Sequence, residues 1–124
     1  MSTSRSKIRK KLDELVKEVV KERDGYICQH CEKKLEGSNC HGSHVIPVSA
    51  GLALAYDPTN LKTLCYHCHI NWWHKNPMEA AEWFKNKFPD RWTYLQQKKA
   101  EGNKPIKDWQ LEELYNEMKL RLVT

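Results

Sequence analysis

The chain has 124 residues, enough for one domain, and a 40% apolar fraction that leaves a thin core unless a metal or a partner supplements it. Lys and Arg outnumber Asp and Glu by 21 to 16, which favours anionic partners but is too mild to establish nucleic-acid binding alone. No apolar run reaches the length of a membrane span, and residues 1–11 are polar and basic with no apolar signal core, so a cytoplasmic protein is expected. In that reducing compartment five cysteines, four of them in C-x-x-C pairs, point to metal binding before disulfides.

In chain order, Ile8, Leu12, Leu15, Val16, Val19 and Val20 recur at helical spacing and predict an amphipathic helix over 6–23 with one buried stripe. Its leading end carries Arg5, Lys7, Arg9, Lys10 and Lys11, which reads either as a solvated helix start or as a phosphate-binding arm. Gly25 ends this helix, and a polar, turn-rich loop fills 32–39. Pro47, Gly51 and Asp57-Pro58-Thr59 predict a β-hairpin with a long connection. Residues 64–74 read as a helix start, its first turn holding the second cysteine pair. Asn76 is expected to cap the next helix, with Pro77 at its first position and Glu79 reaching back. Another helix follows over 90–100, then a linker, then a last helix capped by Asp108 with the stripe Leu111, Leu114, Tyr115, Met118 and Leu122. Trp83, Phe84, Trp92, Tyr94 and Trp109 are expected in the core rather than as base-stacking residues. The division is one domain, 1–124: a basic amphipathic helix (1–24), a metal-stapled core (25–76) and a helical tail (77–124).

Cys28, Cys31, Cys65 and Cys68 have the spacing of a tetrahedral four-thiolate Zn²⁺ site, whose closed shell leaves no open position for catalysis. That zinc is expected to be structural, with Cys40 left as a free thiol. Between and just after the pairs stand His44, Asn60 and His69. A free imidazole at His44 can take a proton from water near neutral pH, which assigns it as general base. Asn60 can pin the loop or orient that imidazole, or serve only as a turn Asn. His69, directly after Cys68, is placed to ligate a second, catalytic divalent cation. Of its competitors, His67 lies inside the knuckle loop, and His74, five residues on, is expected well round the helix from His69. His30 is expected to be peripheral. Lys10, Lys11, Lys62, Lys75 and Arg91 are the expected phosphate contacts.

Cys-x-x-Cys, then Gly42-Ser43-His44-Val45-Ile46-Pro47, then Asp57-Pro58-Thr59-Asn60-Leu61 and Cys65-x-x-Cys68-His69 resemble a zinc-stapled HNH, or ββα-metal, endonuclease. The likeness is closer to the phage NinG/Rap-type recombination nucleases. What the resemblance implies is an α+β fold: a hairpin and helix holding one Mg²⁺- or Mn²⁺-type ion, flanked by helices, in which a His-activated water attacks a DNA phosphodiester. Position by position it matches His44 to the base, Asn60 to the central Asn and His69 to the last ligand. Many HNH enzymes carry an Asp or His ligand immediately before the base, where this chain has Ser43; the NinG-type acid three residues before the base is His41 here. Residues three apart on a flat strand face opposite ways, so His41 needs a bend to join His69, and Ser43 or His69 alone are the alternatives. The implied partner is DNA, duplex or branched, in phage recombination in the host cytoplasm; monomer and homodimer are both open. The competing reading is a non-catalytic zinc module binding nucleic acid or protein, which has no need of His44, Asn60 and His69 together. A thiol redox protein is disfavoured by two C-x-x-C pairs without a βαβ pattern.

Overall fold

A computed structural model describes residues 4–123, so residues 1–3 and 124, the extreme ends of the expected domain, lie outside it. The apolar stripe of the N-terminal segment forms helix α1 (Ser4–Arg23), and Leu12, Val16, Val19 and Val20 are its buried face. The last helix, which we number α5 (Asp108–Val123) after the four described below, adds Leu111 and Met118 to the same core, with Leu114, Tyr115 and Leu122 at its margin. The two ends of the described chain therefore pack on each other. Arg5 clamps them, its guanidinium 2.6 Å from an Asp108 carboxylate oxygen and 2.8 Å from the Ile106 carbonyl. Asp108 is thus the partner of Arg5 rather than the cap of α5. Gln110 reaches back instead, its Oε1 accepting the Lys107 N–H at 2.7 Å. Gly25, at φ +66, ends α1 as expected, letting the Tyr26 N–H return to the Lys21 carbonyl at 2.9 Å.

Among the described residues the sheet is one antiparallel pair, β1 (His41–His44) and β2 (Leu61–Leu64), with His41 opposite Leu64 and His44 opposite Leu61. α1 crosses it closely at Gly42, where an added Cβ would stand 2.7 Å from Lys17 Cγ. Between the strands run short 3₁₀ turns and α2 (Leu52–Ala55). The Asp57 carboxylate accepts the Thr59 N–H at 2.9 Å, closing the Pro58–Asn60 turn that leads into β2.

β2 runs through Leu64, so the helix expected within 64–74 starts later, and its His67–Trp73 segment is a π-helix with i→i+5 bonding. α3 (Pro77–Lys87) and α4 (Pro89–Ala100) follow, packing Phe84 and Leu95 onto Ile46 and Leu54. Pro77 takes the first turn of α3 as expected, but Asn76 makes no side-chain cap bond. Of the aromatic residues expected in the core, Phe84 is fully buried, Trp83 and Trp92 are half-buried, and Tyr94 and Trp109 are exposed. The fold is α+β, a two-stranded sheet beside a cysteine cluster, flanked by helices at both ends. No described helix is long and apolar enough to cross a membrane.

Candidate functional site

The first cysteine pair sits in a tight turn closed by the Ile27–Lys34 bridge, in which the Cys28 N–H donates to the Lys33 carbonyl at 2.9 Å. The second pair links the end of β2 to the π-helix. The four Sγ atoms lie within 4.8 Å of one another, and Cys31 and Cys65 are 3.8 Å apart. Four thiolates each about 2.3 Å from a common zinc ion are separated by about 3.8 Å, so the donor set and its spacing fit a tetrahedral Zn²⁺. The surroundings suit anionic sulfur as well. Backbone N–H groups of Cys31 and Cys68 point at Cys28 Sγ (3.5 Å) and Cys65 Sγ (3.4 Å). His30 stacks on Trp72 with ring centroids 3.6 Å apart and brings its Nδ1 to 3.3 Å from Cys68 Sγ, outside the four-sulfur group. Cys40 is buried beside this cluster without belonging to it, and His67 is exposed, near Asn71.

Next to the cysteines, three imidazoles meet. His41 and His69 have ring centroids 5.1 Å apart, and His69 and His74 lie 4.8 Å apart. The expectation that His74 lies well round the helix from His69 is wrong, for a local reason. An α-helix would turn five residues to about 140° from the start, whereas the i→i+5 ladder brings the fifth residue back over the first. The bond that does this runs from the His74 N–H to the His69 carbonyl, at 3.2 Å.

A chain of hydrogen bonds sets the tautomers. His41 Nε2 lies 2.9 Å from the Ser38 carbonyl, which can only accept, so in a neutral His41 the proton is on Nε2 and Nδ1 is bare. That Nδ1 is 2.9 Å from His69 Nδ1, which must then donate, leaving His69 Nε2 with a free lone pair. Both nitrogens of His41 are therefore engaged within the protein. Burial, then His74 and His41, push the His69 imidazole down to about 4, which keeps it neutral and able to ligate. Ser43, the alternative ligand, is buried and accepts a hydrogen bond from Lys62 Nζ at 2.8 Å.

His44 ends β1, half-buried, with its Nε2 3.0 Å from the Ala55 carbonyl oxygen. By the same reasoning the proton of the neutral ring is on Nε2 and Nδ1 is the free base. Burial lowers its pKa below the ordinary histidine value, against the raising effect of the Ala55 bond. Asn60, fully buried, does not touch this ring. Its Oδ1 accepts the Ile46 N–H at 2.8 Å, and its Nδ2 donates to the Ile46 and Leu54 carbonyls, both at 2.9 Å. Asn60 thereby ties the segment just after His44 to the segment that carries the acceptor of His44. Asn60→Ala takes the partner of the Ile46 N–H and carbonyl and one donor of the Leu54 carbonyl, which keeps the Asp57 N–H at 3.4 Å; each buried group left unpaired costs about 1–3 kcal/mol. We predict a stability loss of about 3 kcal/mol or more, read as a fall in the urea midpoint; an unchanged midpoint would show that the tie carries no weight.

The expected phosphate contacts divide. Lys10, Lys11 and Lys75 are exposed. Lys62 is not a surface contact, contrary to expectation: it is fully buried, its ammonium bonded to Ser43 and lying 3.3 Å above the Trp73 ring centroid. Burial holds its pKa well below the usual lysine range. Arg91 is committed to the backbone, donating to the Thr59 (3.1 Å) and Leu61 (2.7 Å) carbonyls, and burial lowers its pKa to about 10.

His44, His69 and His74 line one cleft of about 640 Å³, together with Lys17 and Trp73. None of the residues lining it is acidic. His74 is the member that sequence reasoning weighed and set aside, because the α-helical period turns it away from His69. Searches of curated proteins and of solved structures give no match. The stretch 28–71, which holds all four clustered cysteines together with His44, Asn60 and His69, is matched by the model of the HNH endonuclease family.

Proposed function

We propose that this protein is a metal-dependent DNA endonuclease of HNH type, with a structural zinc and a separate hydrolytic site in the cleft of His44, His69 and His74. The observation that carries this reading is the pair of carbonyl anchors: His44 Nε2 is 3.0 Å from the Ala55 oxygen, and His69 Nδ1 is tied through His41 to the Ser38 oxygen, so that in the neutral rings His44 Nδ1 and His69 Nε2 are left as bare lone pairs. His44 is the general base, taking a proton from water at Nδ1. Asn60 is a positioning residue that holds both the base and its acceptor. His69 and His74 would hold a divalent cation, which when bound polarises the scissile phosphate and stabilises the leaving oxygen. His41 then acts through His69, fixing its tautomer and orientation as outer partners of metal-ligating histidines do.

Imidazole donors without a carboxylate suit Mn²⁺ or a later transition metal better than Mg²⁺, which prefers oxygen. Nicking of a supercoiled plasmid by the zinc-loaded protein, with Mg²⁺ or Mn²⁺ added, is the direct test. We expect cleavage with both ions and faster cleavage with Mn²⁺. His74→Ala removes one of the two ligands and should raise the Mn²⁺ concentration needed for half-maximal rate by at least the roughly 10- to 100-fold that loss of a mere outer partner of a metal ligand costs. No cleavage of the plasmid or of single-stranded DNA under any metal returns the protein to the class of non-catalytic zinc modules. The exposed Lys10, Lys11 and Lys75 supply phosphate contacts, so binding should be largely sequence-independent and weaken steeply with salt. A preference for branched DNA, as in phage recombination, belongs to this proposal through the likeness to NinG/Rap-type nucleases. Equal affinity for a four-way junction and a duplex would remove that part and leave the nuclease reading standing.

A further inference from the structure

The cleft holds more than phosphate chemistry requires. A phosphodiester needs cations and a shallow surface, whereas this cavity of about 640 Å³ is walled by Trp73, Trp92, Val45 and Pro47 beside the histidines. A volume of that order accommodates an organic group of drug-like size. Trp73 is held in advance, with the buried Lys62 ammonium 3.3 Å from its ring centroid, so little ordering is left for a ligand to impose. Trp92, on α4, is half-buried and packs at the margin of the core formed by Phe84 and Leu95. Gln96, one turn further along α4, also lines the cleft, and its amide can donate and accept at once, as the edge of a base requires. Lys99 supplies positive charge in the same lining, and Lys17 lies there with its ammonium paired to Asp13 at 3.0 Å.

We infer that the cleft takes one unpaired nucleobase of the DNA strand being cut, next to the phosphate presented to His44 and His69. Aromatic walls bind bases by stacking, which tolerates any sequence because every base has a π-face. A base inside a duplex cannot enter without leaving the stack, at a cost that is smallest where the strand is already single or locally unpaired. The substrate class is therefore DNA that is single-stranded or unpaired at the cut, and double helix is a poor substrate. This inference rests on the endonuclease reading above and narrows it.

The test uses the zinc-loaded 124-residue chain and three labelled DNAs of one sequence: a single strand, a paired duplex, and that duplex with one bulged nucleotide. Affinity is measured by fluorescence anisotropy without a second metal, and cleavage with Mn²⁺. Wild type should bind the single strand and the bulged duplex more tightly than the paired duplex, and cut the bulged duplex beside the bulge. Trp92→Ala should weaken single-strand binding by roughly 5- to 150-fold, the range for loss of one stacked base, and remove most of the preference over duplex. Trp92→Phe should retain it. If Trp92→Ala does not fold, wild type and Gln96→Leu decide: Gln96→Leu should lower single-strand affinity. Paired duplex bound and cut as well as the unpaired DNAs overturns the base pocket and leaves the nuclease reading intact. Preferential binding of unpaired DNA without cleavage under any metal overturns the nuclease reading and upholds the pocket.

Discussion

Replacing His44 with alanine is expected to lower cleavage by roughly 10²–10⁴-fold, the usual contribution of a general base, while zinc content and DNA affinity stay near wild type. The side chain makes one hydrogen bond, to the Ala55 carbonyl, so the stability cost should be on the order of 1 kcal/mol. The segment around it is fixed independently, through Asn60 and the bonds to Ile46 and Leu54. A melting temperature close to wild type with cleavage lost is therefore the signature of a chemical role. Unchanged nicking would remove His44 from the mechanism.

The same residue sets the acid limb of the pH profile. Only the neutral imidazole accepts a proton, and burial lowers the His44 pKa below its ordinary value of about 6.5. Cleavage should then rise with pH through that lowered pKa and be on a plateau at neutrality. Stability moves in the same sense. The unfolded chain takes up the proton at about 6.5 while the folded one resists it, so stability falls as pH drops below about 6.5 and continues to fall down to the folded pKa. A profile that still rises above pH 7 would assign the base to another group.

How far the fold could be read from the sequence depended on whether the signal was local. The stripes of α1 and α5 are periodic and land where they were expected, with Leu12, Val16, Leu111 and Met118 buried together. Asp57-Pro58-Thr59 reads as a turn because its own side chain closes it. Three features had no local signal. Lys62 looks like any basic surface residue until β1 supplies its acceptors and the π-helix supplies the Trp73 ring. Asp108 looks like a cap because its partner, Arg5, is 103 residues away. His74 looks misplaced because a helix is assumed to advance with the α period, and the i→i+5 bond that reverses the conclusion depends on backbone geometry beside the cysteine cluster. The cysteines were legible for the opposite reason, since C-x-x-C spacing is itself the geometry of a thiolate knuckle.

Replacing Cys65 or Cys68 with serine is expected to abolish stoichiometric zinc and the cooperative fold of the central region. The magnitudes decide this: a structural zinc contributes roughly 10–16 kcal/mol at neutral pH, against about 5–15 kcal/mol for the net stability of a whole domain. The core around the site is built from the cysteines themselves, with Leu35, Leu64 and the half-buried Trp72 and Trp73 packed on Cys28, Cys65 and Cys68. Loss of the metal therefore also releases the π-helix that carries His69 and His74. The α1–α5 core contains no cysteine, so part of the helical signal should persist while the near-ultraviolet signal of Trp72, stacked on His30, disappears. Cys40→Ser, outside the four-sulfur group, should leave zinc stoichiometry unchanged. Metal analysis, near-ultraviolet circular dichroism and thermal melting of the three variants decide the matter. A zinc-free wild type that melts cooperatively at its normal temperature would sink the structural role, because the region would then hold its fold without the ion its sulfurs are spaced to bind.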